Sequence, residues 1–245
     1  MRTFRRGIPK SFLLILLFVF FLVAGGSGCA LWKKNEPEKT PEGMFNESQR
    51  LMDLKKYPQA AEGFKKFKEE FPLSPNTPMA ELRTADALYL DKNYAEAIVL
   101  YEEFRKLHPV HPEVPYVIYQ TGMCHFNQML SIDRDQTVTE KALEQFRYLI
   151  ANFPQNKYVP DARTRMQLCL GHLAENEFYI GQFYFRKGHY KGALGRFEDI
   201  LKKYPDSGLE VRINPLIKIC REKIAEEEKK AKEKEGGEKK KQSSD

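Results

Sequence analysis

Four stretches of this chain repeat one hydrophobic pattern: a small Ala, an aromatic four residues on, an apolar residue three after that, then an aromatic or His followed directly by Pro. They run Ala60, Phe64, Phe67, Phe71, Pro72; Ala97, Tyr101, Phe104, His108, Pro109; Ala142, Phe146, Leu149, Phe153, Pro154; and Ala193, Phe197, Ile200, Tyr204, Pro205. Steps of three and four put the apolar residues on one helical face, and Pro, lacking an amide donor, closes the helix. Twelve residues before the Ala stands another small residue, Ser48, Ala85 and, in the fourth stretch, Gly181. A small residue there lets a preceding helix pack closely while the aromatics fill the space between units. Each stretch therefore predicts a helical hairpin. One hairpin cannot bury its own apolar face, so a series of them predicts an all-α solenoid.

The spacing gives the organisation. Ala60 to Ala97 is 37 residues, and Tyr57, Phe64 and Pro72 recur at that interval as Tyr94, Tyr101 and Pro109. Pro58 suits the first turn of its helix and Gly188 a left-handed C-cap. Gly122 follows Ala85 by 37, but Ala142 follows Ala97 by 45, which predicts an expanded polar loop of eight extra residues around Ser131 to Val138. Between Pro154 and Ala193 there is an excess of 14 residues over the first interval, and the stretch from Asp161 to Lys187 holds no Pro and no turn cluster. The excess predicts a helix lengthened by about four turns. The expectation is a solenoid of about five hairpins, with repeats one to three over residues 41–157 and a long helix with C-terminal repeats over 158–225. A last amphipathic helix carries Ile213, Leu216, Ile217, Cys220 and Ile224, with Asn214 and Pro215 as cap and first residue. Residues 226–245, rich in both Lys and Glu, are expected to be a solvated, disordered tail.

Composition changes this picture only at the start. The 245 residues are 42% hydrophobic and 30% charged, enough for one medium domain or two small ones. Arg2, Arg5, Arg6 and Lys10 precede an apolar run from Phe12 to Ala24, and Gly25, Gly26, Ser27 and Gly28 lead to Cys29. As a helix the run measures about 20 Å against a hydrocarbon core of about 30 Å, so it reads as a cleaved leader, residues 1–28. Small residues before a Cys resemble the lipobox of bacterial lipoproteins, although Gly26 stands where that motif usually has Leu. The resemblance implies that Cys29 is acylated, that residues 29–40 form a lipidated linker, and that Ala30 in second place directs the chain to the outer membrane. The alternative is an ordinary secretory signal. The formal charge of +6 includes four leader cations, leaving +2, which gives no ground for a nucleic-acid partner.

Candidate chemistry is sparse. Cys124, Cys169 and Cys220 sit in apolar helical stretches and read as buried thiols, with a Cys169–Cys220 bridge as the alternative. Cys169 and His172 have a ligand-like spacing that no second pair supports, so no metal is expected. A His-Glu-x-x-His motif, a phosphate loop and a nucleophile elbow are all missing from the sequence, which argues against an enzyme and against any cofactor beyond the lipid on Cys29.

The small, small, aromatic and Pro positions, Ser48, Ala60, Phe64 and Pro72, then Ala85, Ala97, Tyr101 and Pro109, resemble the tetratricopeptide repeat. Met44 and Glu81 replace that family's early Trp, and Phe67 and Phe104 its third small residue. The run from Glu175 to Tyr179 with Gly181, Tyr184, Lys187, Gly188, Tyr190, Ala193, Phe197 and Tyr204 to Ser207 resembles the BamD family, lipoproteins of the outer-membrane β-barrel assembly machinery. That resemblance implies a non-enzymatic role at the periplasmic face of the outer membrane. The N-terminal repeats would receive the C-terminal strand of unfolded outer-membrane proteins. The C-terminal half would dock on a POTRA domain of the barrel-forming subunit. A rival on the same scaffold is the periplasmic tetratricopeptide protein of the Tol-Pal division system, although only Ala30 to Thr40 precedes the first hairpin, too short for that family's coiled coil.

First-helix side chains one turn from the packing positions are expected to line the groove: Phe45, Gln49 and Met52, then Leu82, Asp86 and Tyr89, then Tyr119 and Phe126. An aromatic groove suits an extended segment ending in an aromatic, each buried ring contributing about 1.5–3 kcal/mol. Arg186, Arg196 and Arg212, on the long helix and beyond, are the candidates for partner docking.

Overall fold

The computed structural model describes residues 40–242, with side chains as far as Glu235. The leader, Cys29 and the linker as far as residue 39 lie outside the described residues. Among the described residues nine helices follow in chain order: α1 (Pro41–Asp53), α2 (Tyr57–Glu70), α3 (Thr77–Leu90), α4 (Tyr94–Leu107), α5 (Val114–Phe126), α6 (Thr137–Asn152), α7 (Val159–Arg186), α8 (Tyr190–Lys203) and α9 (Glu210–Gln242). Each packs chiefly on the helix before and after it. The result is an all-α solenoid of four hairpins with α9 laid on α8 as the next layer.

The repeated residues act as the sequence requires. Phe71, His108, Phe153 and Tyr204 each end a helix in one backbone conformation, with φ between −126° and −134° and ψ near 57°. Each returns its amide to the carbonyl four residues back, at 2.8–2.9 Å, before Pro turns the chain away. Pro41, Pro58, Pro78, Pro115 and Pro160 occupy the first two positions of their helices, where no amide is needed. Thr40 caps α1, its hydroxyl accepting from the Gly43 amide at 3.1 Å.

Four hydrophobic cores run in series along the stack. The hairpins close tightly where Gly faces an aromatic: a methyl group on Gly122 would lie 2.7 Å from the Phe146 ring, and one on Gly181 2.6 Å from Phe197. The expanded loop occupies 127–136, where Gln136 is buried and donates to the Ser131 and Arg134 carbonyls at 3.0 Å. The long helix α7 has 28 residues, twice the 14 of α2, α3, α4 and α8. It leaves one core after Leu173 and enters the next at Ala174, so it joins the two halves of the molecule.

Two details differ from the sequence reading. The last helix begins at Glu210, not at Asn214 and Pro215. Buried Leu209 sets its start, its carbonyl accepting from the Arg212 and Ile213 amides at 2.9 Å. Pro215 falls on an exposed face with Val211, where a carbonyl without an intrahelical donor is open to water. In addition, the helix continues through 226–242, where a disordered tail was expected. Lys and Glu are good helix formers, and pairs such as Lys223–Glu226 at 2.9 Å follow the helical register. Cys124, Cys169 and Cys220 are buried free thiols with no bridge. Burial pushes the Cys169 thiol up to about 11 and the Cys124 thiol up to about 12, the latter with help from the Asp86 charge.

Candidate functional site

The first helices of successive hairpins lie side by side, and their facing side chains form a ladder across α3, α5 and the start of α7. Tyr89 on α3 accepts from the Asn127 amide group at 3.1 Å. Tyr119 on α5 donates to Asp161 on α7 at 2.5 Å and stacks on Tyr158 with centroids 5.0 Å apart. Arg165, one turn beyond Asp161, donates to the same carboxylate at 3.2 Å and lays its guanidinium over Phe126 at 5.1 Å. Tyr89, Tyr119 and Phe126 are all partly exposed. The ladder thus offers ring edges and a cation on one surface. Tyr119 holds the Asp161 carboxyl below its usual range, with Arg165 adding to the effect, while burial and that same carboxylate raise the Tyr119 phenol.

Leu82 and Asp86, expected in the groove, lie in the core at 2% and 3% exposure. The reason is the partners that folding brings to Asp86. Tyr101 on α4 donates to its Oδ1 at 2.7 Å, Tyr116 on α5 donates to the same oxygen at 2.8 Å, and Arg83 reaches Oδ2 at 3.0 Å. Burial raises the Asp86 carboxyl, and these three donors oppose the rise. Asp86 therefore ties α3, α4 and α5 together and does not present itself to a ligand.

On α1, Phe45 packs edge-on against Phe64 and Phe67, at 5.3 and 5.6 Å, and Met52 lies against the same core. Gln49 donates to Asp53 at 3.2 Å on the outer surface. The α1 candidates are thus a wall beside the ladder and are not joined to it by any described hydrogen bond. The sequence reading missed Tyr158, Asp161 and Arg165. The available signal was an acid four residues before a base on a predicted helix.

The docking candidates divide as well. Arg196 on α8 donates to Glu177 on α7 at 2.6 Å. Arg212 on α9 donates to Glu175 at 2.6 Å and covers Phe178 at 4.2 Å. Both are engaged in joining helices of the C-terminal half. Arg186, at the end of α7, is exposed, one turn beyond Phe183 and two beyond Tyr179, which are 48% and 43% exposed.

A family of outer-membrane lipoproteins, YfiO, matches residues 37–235, which includes every helix that forms the ladder and the C-terminal cores. The chain belongs to this family, that of BamD. The outer membrane protein assembly factor BamD of Rickettsia prowazekii is 34% identical over 193 residues, 78% of this chain and 76% of its own length. The Caulobacter vibrioides protein of the same name is 28% identical over 195 residues, 78% of this chain and 64% of its own. Among solved structures, the TPR2AB domain of yeast Sti1 in complex with pHSP90 matches at a TM-score of 0.44 and 14% identity, over 75% of this chain and 70% of that one, too loosely to bear on function. Among the described residues no group of three or more His, Cys, Asp and Glu could hold a metal, and no helix is long and apolar enough to cross a membrane. The relatives are named as outer membrane protein assembly factors.

Proposed function

We propose that the chain is a lipid-anchored scaffold of outer-membrane protein assembly, held at the periplasmic face through acylated Cys29. Its N-terminal half receives the C-terminal segment of an unfolded barrel protein, and its C-terminal half docks on a POTRA domain of the barrel-forming subunit. The ladder carries the first assignment. Tyr89, Tyr119 and Phe126 offer half-buried rings to an aromatic terminus, and Arg165 supplies a cation for the terminal carboxylate. Desolvating such a ring contributes about 1.5–3 kcal/mol, and a guanidinium recognises a carboxylate through paired donors. Tyr179, Phe183 and Arg186 support the second assignment, as an apolar strip with a cation on the outer face of the joining helix. The relatives are named as assembly factors, which favours assembly over the Tol-Pal alternative.

The chain from Ala30 onward, used as bait in envelope extract, is expected to retain a barrel protein bearing POTRA domains. Recovery of Tol-Pal components in its place overturns the reading. Failure of Cys29 to take up labelled fatty acid removes the anchor alone.

A further inference from the structure

A groove of about 550 Å3 opens between α2, α3 and α4, apart from the ladder. Its apolar lining is formed by Pro72, Leu100 and Phe104. Its walls carry four glutamates and two lysines. Glu81 is already matched, since Lys68 donates to it at 2.8 Å and His108 lies 2.6 Å away. Lys68 also lies 3.8 Å from Glu103 and the Asn93 amide group donates to Glu96 at 2.7 Å, but Glu69, Glu96 and Glu103 are all exposed, and four carboxylates against Lys65 and Lys68 leave the rim acidic. The volume lies within the range of sites that take a small organic group, and the combination of apolar lining and acidic rim calls for an aromatic flanked by cations.

The chain carries such a segment nearby. Leu31, Trp32, Lys33 and Lys34 precede the first helix, and Trp32 is the sole tryptophan of the chain. The start of α1 lies beside the groove. Phe45 packs on Phe64 and Phe67, and Ser48 faces Gly63, so α1 and α2 run antiparallel with Pro41 opposite the end of α2. Lys68, Glu69 and Pro72, at that same end, form one wall of the groove. Trp32 stands nine residues before Pro41, a reach of up to about 30 Å, against a helix diameter of about 10–12 Å to be rounded.

We propose that residues 31–34 dock in this groove of their own chain, with Trp32 on the apolar lining and Lys33 and Lys34 against Glu69, Glu96 and Glu103. Docking shortens the tether. Of the ten residues between Cys29 and Thr40, only Ala30 would remain between the anchor and the docked segment, which holds the first two hairpins close to the membrane. That consequence rests on the lipid-anchored reading; the docking does not.

The test uses the chain from Ala30, which has no acylation site and retains every core described above. Acrylamide quenching of Trp32 is compared with that of a free peptide of residues 30–39. The expected quenching constant is three- to fivefold below the peptide's. The double substitution Glu69→Lys and Glu103→Lys, on exposed side chains, returns it to the peptide value, as does Leu100→Arg, with circular dichroism reporting that the helices persist. Quenching equal to the peptide's in the unaltered chain overturns the proposal. So does protection that survives both groove variants, and so does protection lost on dilution, which would assign the docked segment to a second copy. Acylation of Cys29, read from the mass of the exported chain, stands or falls separately.

Discussion

The two halves of the molecule hold their helices together in different ways. In the N-terminal half the α3, α4 and α5 helices meet around a buried carboxylate, Asp86, which accepts from two tyrosines and an arginine. In the C-terminal half the ties lie on the surface. Arg196 to Glu177, Arg212 to Glu175 and Arg221 to Glu198 are pairs at 2.6–2.8 Å whose arginine side chains are 42–64% exposed. The turns differ too. Lys55 and Lys92 take the left-handed conformation at φ 57° and 63°, where the C-terminal hairpin has Gly188 at φ 76°. A buried network fixes one arrangement whatever the salt, whereas exposed pairs weaken as salt screens them. The N-terminal half is thus fixed in one arrangement around Asp86. The C-terminal half keeps an apolar core of Phe178, Phe197 and Ile213, and only the polar ties laid over it are ones that ionic conditions can loosen.

The feature both halves share is the easiest to break. Gly122→Leu or Gly181→Leu drives a side chain into the Phe146 or Phe197 ring, where even one added carbon is too close. A loss of about 3 kcal/mol or more is expected in urea unfolding, with similar losses at the two sites. An unchanged midpoint would contradict the packing. Next, Asp86→Ala strands the buried Tyr101 phenol and the partly buried Tyr116 phenol and should cost about 3 kcal/mol, with little dependence on salt. Asp86→Asn, which keeps an acceptor for Tyr101 and Tyr116, should cost less.

Smaller effects sharpen the contrast. Arg196→Ala should cost about 0.2–1 kcal/mol and become neutral in molar salt. Asp86→Ala should not change that way, and equal salt dependence would erase the distinction drawn here. Lys92→Gly should stabilise by about 1 kcal/mol by removing left-handed strain, measured as a raised melting temperature.

Acidification separates the two carboxylates of the N-terminal half. Asp86 is raised by burial, so the folded state holds its proton more tightly and this group favours folding as pH falls toward the ordinary carboxyl range. Asp161 is depressed, so its contribution is present above the ordinary carboxyl value and is lost as pH falls toward the lowered one. Between pH 6 and 3, Asp86→Asn should therefore lose stability more steeply than the parent chain, and Asp161→Asn less steeply.

Much of the fold was legible because it depends on local residues. Ala, aromatic and Pro at fixed steps specify each hairpin, and the departures at Ala142 and Ala193 located the expanded loop and the long helix. The site was legible only in part. Tyr89, Tyr119 and Phe126 fall on the partly exposed ladder, but Leu82 and Asp86 were assigned to the same surface because α3 is flanked on both sides and buries more than one stripe. Helical period alone cannot tell a groove-facing position from a second packing face. The partners that draw Asp86 inside lie 15 and 30 residues away in sequence. Arg196 and Arg212 looked free for the same reason, their acids lying 19 and 37 residues distant. The end of α9 was misread because a run of Lys and Glu satisfies both the composition of a disordered tail and the propensities of an exposed helix.

The central claim, that the two halves serve different partners, is tested most directly by photo-crosslinking in living cells. A photoreactive residue is placed at Phe126 in one strain and at Phe183 in another, and the trapped proteins are identified by mass. The account predicts unfolded outer-membrane barrel proteins from position 126 and the POTRA-bearing barrel-forming subunit from position 183. The same protein from both positions, or the reverse assignment, would contradict it.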